Sequence, residues 1–173
     1  MGKLGTREAD INLAMAARVA AVLRSGDIEV ILTRTKDASV SLRTRVNRAN
    51  NADAASFVSV HCNSADSDSS HGTEAYYYTA SDAGKKLATA ILRPLVRATS
   101  LADRGVKSAG FYVLRHTRMP AALIELAFIS NENEEKLLRD ESFQTKAARA
   151  IADGIVAWLR GGHASLGWLP HTR

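Results

Sequence analysis

Three side chains stand where an ordinary core gives no reason to place them: His61, Glu125 and Glu8. His61 closes the run Phe57-Val58-Ser59-Val60-His61. Side chains alternate along a strand, so Phe57, Ser59 and His61 share one face, and Val58, Val60 and Cys62 share the other. His61 and Cys62 therefore cannot both point at one metal ion. Ligands of sheets with crossover helices collect beyond the carboxyl ends of the strands, where His61 falls; a hydrogen-bonded structural histidine is the competing reading. Glu125 interrupts Ala121-Ala122-Leu123-Ile124 and Leu126-Ala127-Phe128. An isolated carboxylate among such neighbours costs on the order of several kcal/mol unless it is protonated, paired or near a metal. The same burial raises its pKa, which suits it to take a proton from an attacking water and hand it to a leaving amine. A salt bridge to a buried arginine such as Arg115 is the alternative. Glu8 lies in the first turn of a helix, where the macrodipole favours a carboxylate without any function. It gains chemical meaning in company with the other two.

These residues need elements to position them. At 173 residues the chain fits one domain. Turn signals alternating with apolar segments predict an α/β fold, with one mixed, mostly parallel sheet flanked by helices on both faces. A first helix is expected from Thr6 to about Arg24, with an apolar face of Ile11, Leu13, Ala14, Ala17, Ala20, Ala21 and Leu23. Glu29–Thr33 reads as a strand, and Ser41–Asn50 as an arginine-rich helix packed through Leu42 and Val46. Further strands are expected at Ala55–His61, Thr73–Thr79, Phe111–Leu114 and Ala121–Phe128. Between the first and second of these lies a Ser/Asp-rich loop, Asn63–Gly72. Ser81 caps a long helix that Pro94 should kink or shorten. Asn131 and Glu134 stand at capping-box spacing. The last helix, Ser142–Leu159, buries Phe143, Ala147, Ala150, Ile151, Ile155 and Trp158, and Gly161-Gly162 ends the fold.

Composition removes several function classes. Hydrophobic residues make up 46% and charged residues 24%, ordinary for a packed globular chain. The net charge of +5 favours anionic surroundings such as nucleic acid, anionic lipid or an acidic wall polymer. The arginines carry no interleaved aromatics, unlike a platform that stacks single-stranded bases, so no nucleic acid is expected as partner. One cysteine, Cys62, excludes an internal disulfide and a cysteine-based metal cluster. No run of eighteen apolar residues predicts a membrane span, and no export signal is expected in this chain. His71 and His116 lack metal-ligand spacing, and the loop at 64–70 lacks the glycine and terminal glutamate of an EF-hand.

Taken together, Glu8-Ala9-Asp10-Ile11-Asn12-Leu13-Ala14, Leu32-Thr33-Arg34, Leu42–Asn50 and Phe57–Asn63 closely resemble the zinc N-acetylmuramoyl-L-alanine amidases of bacterial division, sporulation and phage lysis. The collinear match continues through Gly72-Thr73-Glu74-Ala75-Tyr76-Tyr77, Arg104-Gly105-Val106-Lys107, Phe111–Arg115 and Met119–Asn131. The resemblance implies a phosphorylase/hydrolase-like catalytic domain over 1–160; the remainder, 161–173, reads from the sequence itself as a loose tail in which neither His163 nor His171 has a role. It implies one zinc ion held by two histidines and a glutamate, with a second glutamate as catalytic acid/base. The matching positions are Glu8 and His61 as metal ligands and Glu125 as acid/base. Glu74 falls at a recurring acidic position near the cleft. Asn63 and Arg115 follow strand ends nearby, and with Glu74 they are expected to contact substrate. The family opens with a strand leading into Asp-Pro-Gly-His-Gly-Gly, whose histidine is the first zinc ligand. This chain starts downstream of that motif, so one strand and one ligand are expected to be missing.

The implied activity is hydrolysis, by zinc-activated water, of the amide joining N-acetylmuramic acid to L-alanine. Peptidoglycan is then the partner, the chain is a monomer, and the location is the bacterial cell envelope. Two rivals remain open at this stage. One is a zinc carboxypeptidase-like peptidase on a similar scaffold. The other is a catalytically impaired protein that binds peptidoglycan.

Overall fold

A computed structural model describes residues 1–163 and contains one mixed four-stranded sheet flanked by helices, as expected. In chain order the elements are α1 (Glu8–Arg24), α2 (Leu42–Asn51), β1 (Phe57–Asn63), β2 (Thr73–Tyr77) and α3 (Asp82–Thr99). Then follow β3 (Asp103–Ser108), α4 (Tyr112–His116), β4 (Ala121–Phe128), α5 (Glu132–Arg139) and α6 (Glu141–Trp158). A π turn, Leu159–His163, extends α6 past Gly161-Gly162. The rest of the expected tail, 164–173 with His171, lies outside the described residues.

The strand order is β1-β4-β2-β3. β1/β4 and β2/β3 are parallel and β2/β4 is antiparallel. Alternation along the strands sorts two cores. Cys62, Ala75, Ala122, Ile124 and Leu126 face α1, α3 and α6, meeting Met15, Leu87, Ile91, Ile151 and Trp158. Phe57, Ala121 and Leu123 face the other way, onto Val46 of α2 and Val113 and Leu114 of α4. Each large apolar side chain so buried contributes roughly 1.5–3 kcal/mol. α3 and α6 approach closely at Gly154, where a Cβ would lie 2.6 Å from the Ala90 carbonyl oxygen. A side chain there must push the helices apart.

Several expectations give way to packing. The buried stripe of α1 is Ile11, Met15, Val19, Ala20 and Leu23, while Ala17 and Ala21 are exposed. The i, i+4 row of larger residues wins the core because it buries more area than the alanines. Leu42 is 54% exposed and Val46 alone is buried from α2. Glu29–Thr33 forms no strand, because its backbone meets side chains instead of a ladder. Arg24 donates to the Val30 carbonyl at 2.7 Å and Arg48 to the Thr33 carbonyl at 2.7 Å. A cleft of about 330 Å³ separates this segment from β1 and runs up to Asn12 and His61. No strand lies outside β1 among the described residues.

Phe111–Leu114 is likewise no strand. Val113 and Leu114 are buried in succession, which a helical turn allows and a half-buried strand does not, and the segment forms α4. β3 was not expected: Asp103, Arg104, Gly105 and Lys107 give it low β-propensity, tolerable because it is an edge strand. Pro94 does not shorten α3, which runs on to Thr99. Asn131 caps α5 by accepting from the Asn133 and Glu134 amides, but Glu134 does not complete a capping box. Its carboxylate accepts from the Gly72 and Phe128 amides instead, tying α5 to the ends of β2 and β4.

Candidate active site

α1 starts at the carboxyl end of β1, and its first residue is Glu8. The segment before it is anchored from α5, where the buried Glu135 carboxylate accepts from the Leu4 amide at 2.8 Å and the Thr6 amide at 3.0 Å. Glu8 Oε1 then sits 2.9 Å from His61 Nδ1. It also accepts from Asn12 Nδ2 at 2.9 Å and from the Cys62 amide at 3.3 Å. The hydrogen bond from His61 is the main cause that drives the Glu8 pKa down to about 2. An ionised carboxylate only accepts, so His61 donates from Nδ1. In the neutral ring Nε2 accepts from the Ser59 hydroxyl, 3.0 Å away.

Strand register extends the site across the sheet. His61 on β1 pairs with Glu125 on β4, and Glu125 pairs with Glu74 on β2. Directly paired residues point to the same face, so imidazole and both carboxylates form one row. Glu125 is the least buried residue of β4, yet its Oε2 is buried with no hydrogen-bond partner among the described residues. Burial pushes its pKa up to about 7; His61 pulls it down, and the negative charges of Glu8 and Glu74 push it up. The alternative salt bridge to Arg115 does not form. Arg115 is exposed on α4, away from any bond to Glu8, His61 or Glu125.

Glu74 is only 2% exposed, and its oxygens are fully engaged. Oε1 accepts from Asn63 Nδ2 at 2.6 Å and from the Tyr76 hydroxyl at 2.7 Å. Oε2 accepts from Arg104 Nε at 2.9 Å and from Lys107 Nζ at 2.5 Å. Burial pushes the Glu74 carboxyl up, but the bonds from Lys107, Tyr76 and Arg104 outweigh it and hold the pKa below its ordinary value. Glu74 thus joins the row as an organiser of its neighbours. Arg104, Lys107, Tyr76 and Ser59 carry no site role in the sequence reading. The run Arg104-Gly105-Val106-Lys107 was the one available signal for the first two.

Cys62 points away from the row. Its thiol is buried beside Asn12 Oδ1, and burial, then the charges of Glu8 and Glu125, push its pKa up. His71 is exposed and bonds to the Ser69 carbonyl, and His116 packs edge-on against Tyr112. Neither joins Glu8 and His61. The row therefore offers an imidazole and a carboxylate in contact, and beside them a second carboxyl able to carry a proton near neutral pH.

The model of the N-acetylmuramoyl-L-alanine amidase family matches residues 1–157. The chain belongs to this family. It is 40% identical over 158 residues to N-acetylmuramoyl-L-alanine amidase LytC of Bacillus subtilis, covering 90% of this chain and 32% of that protein. It is 36% identical over 148 residues to the sporulation-specific N-acetylmuramoyl-L-alanine amidase of the same organism, covering 84% of this chain and 56% of that protein. The chain thus spans just under a third of one of these relatives and just over half of the other. The catalytic domain of the amidase CwlV from Bacillus (Paenibacillus) polymyxa superposes with a TM-score of 0.87 at 43% identity, covering 90% of this chain and 87% of that one. The CwlD amidase of Clostridioides difficile, solved in complex with the GerS lipoprotein, gives 0.89 at 33% identity over 93% and 91%. The expectation of amidase family and fold is met.

Proposed function

We propose that this chain is the catalytic domain of a peptidoglycan amidase that hydrolyses the bond between N-acetylmuramic acid and L-alanine. The observation that carries the reading is Glu125: a carboxyl group with a buried, unpartnered oxygen, one strand from a Glu8–His61 pair, in a chain of this family. At a pKa near 7 it takes a proton from the attacking water and returns it to the alanine amine as the tetrahedral intermediate breaks down. Without that return the leaving group would depart as an amide anion, which is prohibitively basic. His61 is held by Glu8 on one side and Ser59 on the other, so its ring cannot swing out of the row. The cleft running from His61 along β1 leaves the site open on that side.

The donor types fit zinc, since Glu8 offers a carboxylate oxygen and His61 an imidazole nitrogen, both more than a third exposed. Their number is two, and no group of three possible ligands occurs among the described residues. A catalytic zinc ordinarily takes three protein ligands. We therefore assign Glu8 and His61 as two of them. When bound, the ion supplies a Lewis acid that lowers the pKa of water and stabilises charge on the amide oxygen.

The substrate class sets the rest of the reading. Peptidoglycan is the partner and the cell envelope is the place of action; no helix among the described residues is long and apolar enough to cross a membrane. The domain acts as a monomer. The test is release of stem peptide from purified peptidoglycan with zinc supplied, alongside a zinc titration. Glu125→Gln should abolish release and leave zinc affinity intact, while His61→Ala should weaken zinc binding at least about tenfold. Release undiminished in Glu125→Gln rejects the acid/base assignment. Binding to walls with neither zinc uptake nor hydrolysis favours the impaired wall-binding protein, and cleavage of peptides lacking muramic acid favours the peptidase.

A further inference from the structure

The row on the sheet does not stop at Glu125. It continues through Glu74 to two cations on the edge strand, in the run Arg104-Gly105-Val106-Lys107, to which the hydrolytic chemistry gives no part. We propose that Arg104 and Lys107 form a subsite for a carboxylate of the stem peptide, a few residues beyond the bond that is cut. The proposal rests on the amidase reading of the row and adds to it a determinant of which stem peptides are taken.

Charge is the first argument. Two cations meet a single carboxylate, so the group keeps a net positive charge, and the two neutral donors Asn63 and Tyr76 do not change that sum. A purely structural ion pair needs one cation. Exposure is the second. Glu74 is 2% exposed while the side chains of Arg104 and Lys107 are 37% and 40% exposed, so the anion is enclosed and the surplus charge faces solvent.

Free donors are the third argument. Lys107 places one N–H on Glu74 and has two left. Arg104 uses Nε on Glu74 and Nη1 on the His71 carbonyl, leaving Nη2 without a partner among the described residues. Its guanidinium lies 4.8 Å over the Phe128 ring, which fixes the plane in which those donors point. Glu74 and Phe128 together hold the fork in place before any ligand arrives, which lowers the ordering cost of binding.

Position is the fourth. Lys107 pairs with Tyr76, which lies two residues along β2 from Glu74 and so on the same face as Glu125. Two strand spacings of about 4.8 Å put β3 some 10 Å from β4. An extended peptide advances about 3.5 Å per residue, so a chain cut at Glu125 reaches the cations within its first three residues. In a peptidoglycan stem the second residue, a γ-linked D-glutamate, carries an α-carboxyl group either free or as its amide. The free form is the ligand this subsite would select.

The experiment measures binding to the full chain, so that it does not depend on turnover. A lactyl-L-alanyl-γ-D-glutamyl peptide with its distal end amidated is prepared with the α-carboxyl of the second residue free or amidated, and each is titrated by NMR. The free acid should bind roughly ten- to a hundredfold more tightly, the range of a charge-assisted hydrogen bond. Lys107→Met and Arg104→Gln should bring the two peptides close to parity, and Lys107→Arg should restore much of the preference. Equal binding of acid and amide by the unaltered chain overturns the proposal, and needs no variant to fold. So does a preference that survives both substitutions. A preference present and lost as described, in a chain that releases no stem peptide from peptidoglycan, would count against the hydrolytic reading and leave the subsite standing.

Discussion

Glu125 shows how one buried carboxyl ties stability to pH. Its pKa in the folded chain is raised from 4.5 to about 7, mainly by burial. Between those values the folded chain keeps a proton that the unfolded chain has released. The associated stability is complete below about pH 4.5 and is lost as pH rises through about 7. A shift of that size is worth on the order of 3 kcal/mol. Urea unfolding in a chelating buffer should show the unaltered chain losing stability relative to Glu125→Gln across that window, and parallel pH dependences would refute the buried, ionisable carboxyl. Glu8 does not confuse the measurement: its pKa is lowered to about 2, so its contribution is present above 4.5 and fades only at lower pH. His61 and Glu125 stood out in the sequence because each breaks an apolar strand pattern, whereas Glu8, at home in the first turn of a helix, was singled out only in company with them. Arg104 and Lys107 were not, because charged residues on an edge strand break nothing. Only the order β1-β4-β2-β3 brings them to the row.

Among the elements, those with strong internal periodicity were readable and those defined by a partner were not. α6 buries all six apolar residues expected of it, and β4 spans the expected Ala121–Phe128, because a helical stripe and an apolar run are written in consecutive residues. Glu29–Thr33 has strand composition but no ladder, and β3 has a ladder without strand composition. Pairing is decided by what lies alongside, which local sequence does not record. The same holds for α5, whose first turn places Glu134 and Glu135 as buried acceptors for backbone amides far away in sequence. Glu135 is the only side chain bonded to the Leu4 and Thr6 amides among the described residues, and those amides lead directly into α1 and Glu8. Glu135→Ala should cost roughly 2–4 kcal/mol, the range for leaving two amides without their charged acceptor. Hydrogen exchange at Leu4 and Thr6 should rise well before that of β4. If those amides stay protected, the segment before Glu8 is held by something other than this clamp.

On the scale of the whole molecule, the sheet works as a ruler. It spaces His61 with its partner Glu8, the Glu125 carboxyl, Glu74 and the Arg104–Lys107 pair across the strand order β1-β4-β2-β3 along one face, while the opposite face supplies the large core that keeps the strands in register. On the proposed function, a substrate laid across such a row would meet each group in order, its direction fixed before any bond is cut. The net charge of +5 acts over longer range. For a chain of this length the radius of gyration is about 16 Å. Screening lengths run from about 30 Å in 0.01 M salt, roughly twice that radius, to about 3 Å in 1 M salt, narrower than a side chain. Only at the low end does the surplus charge act as a whole on an anionic wall. Retention on purified walls bearing acidic polymers should therefore fall steeply between those salt concentrations. Retention on walls stripped of those polymers should change far less, because there the contacts are the short-range ones of the row. Equal salt dependence on the two wall preparations would show that the charge acts only within the site, and that the excess of lysine and arginine elsewhere on the surface does not serve adhesion.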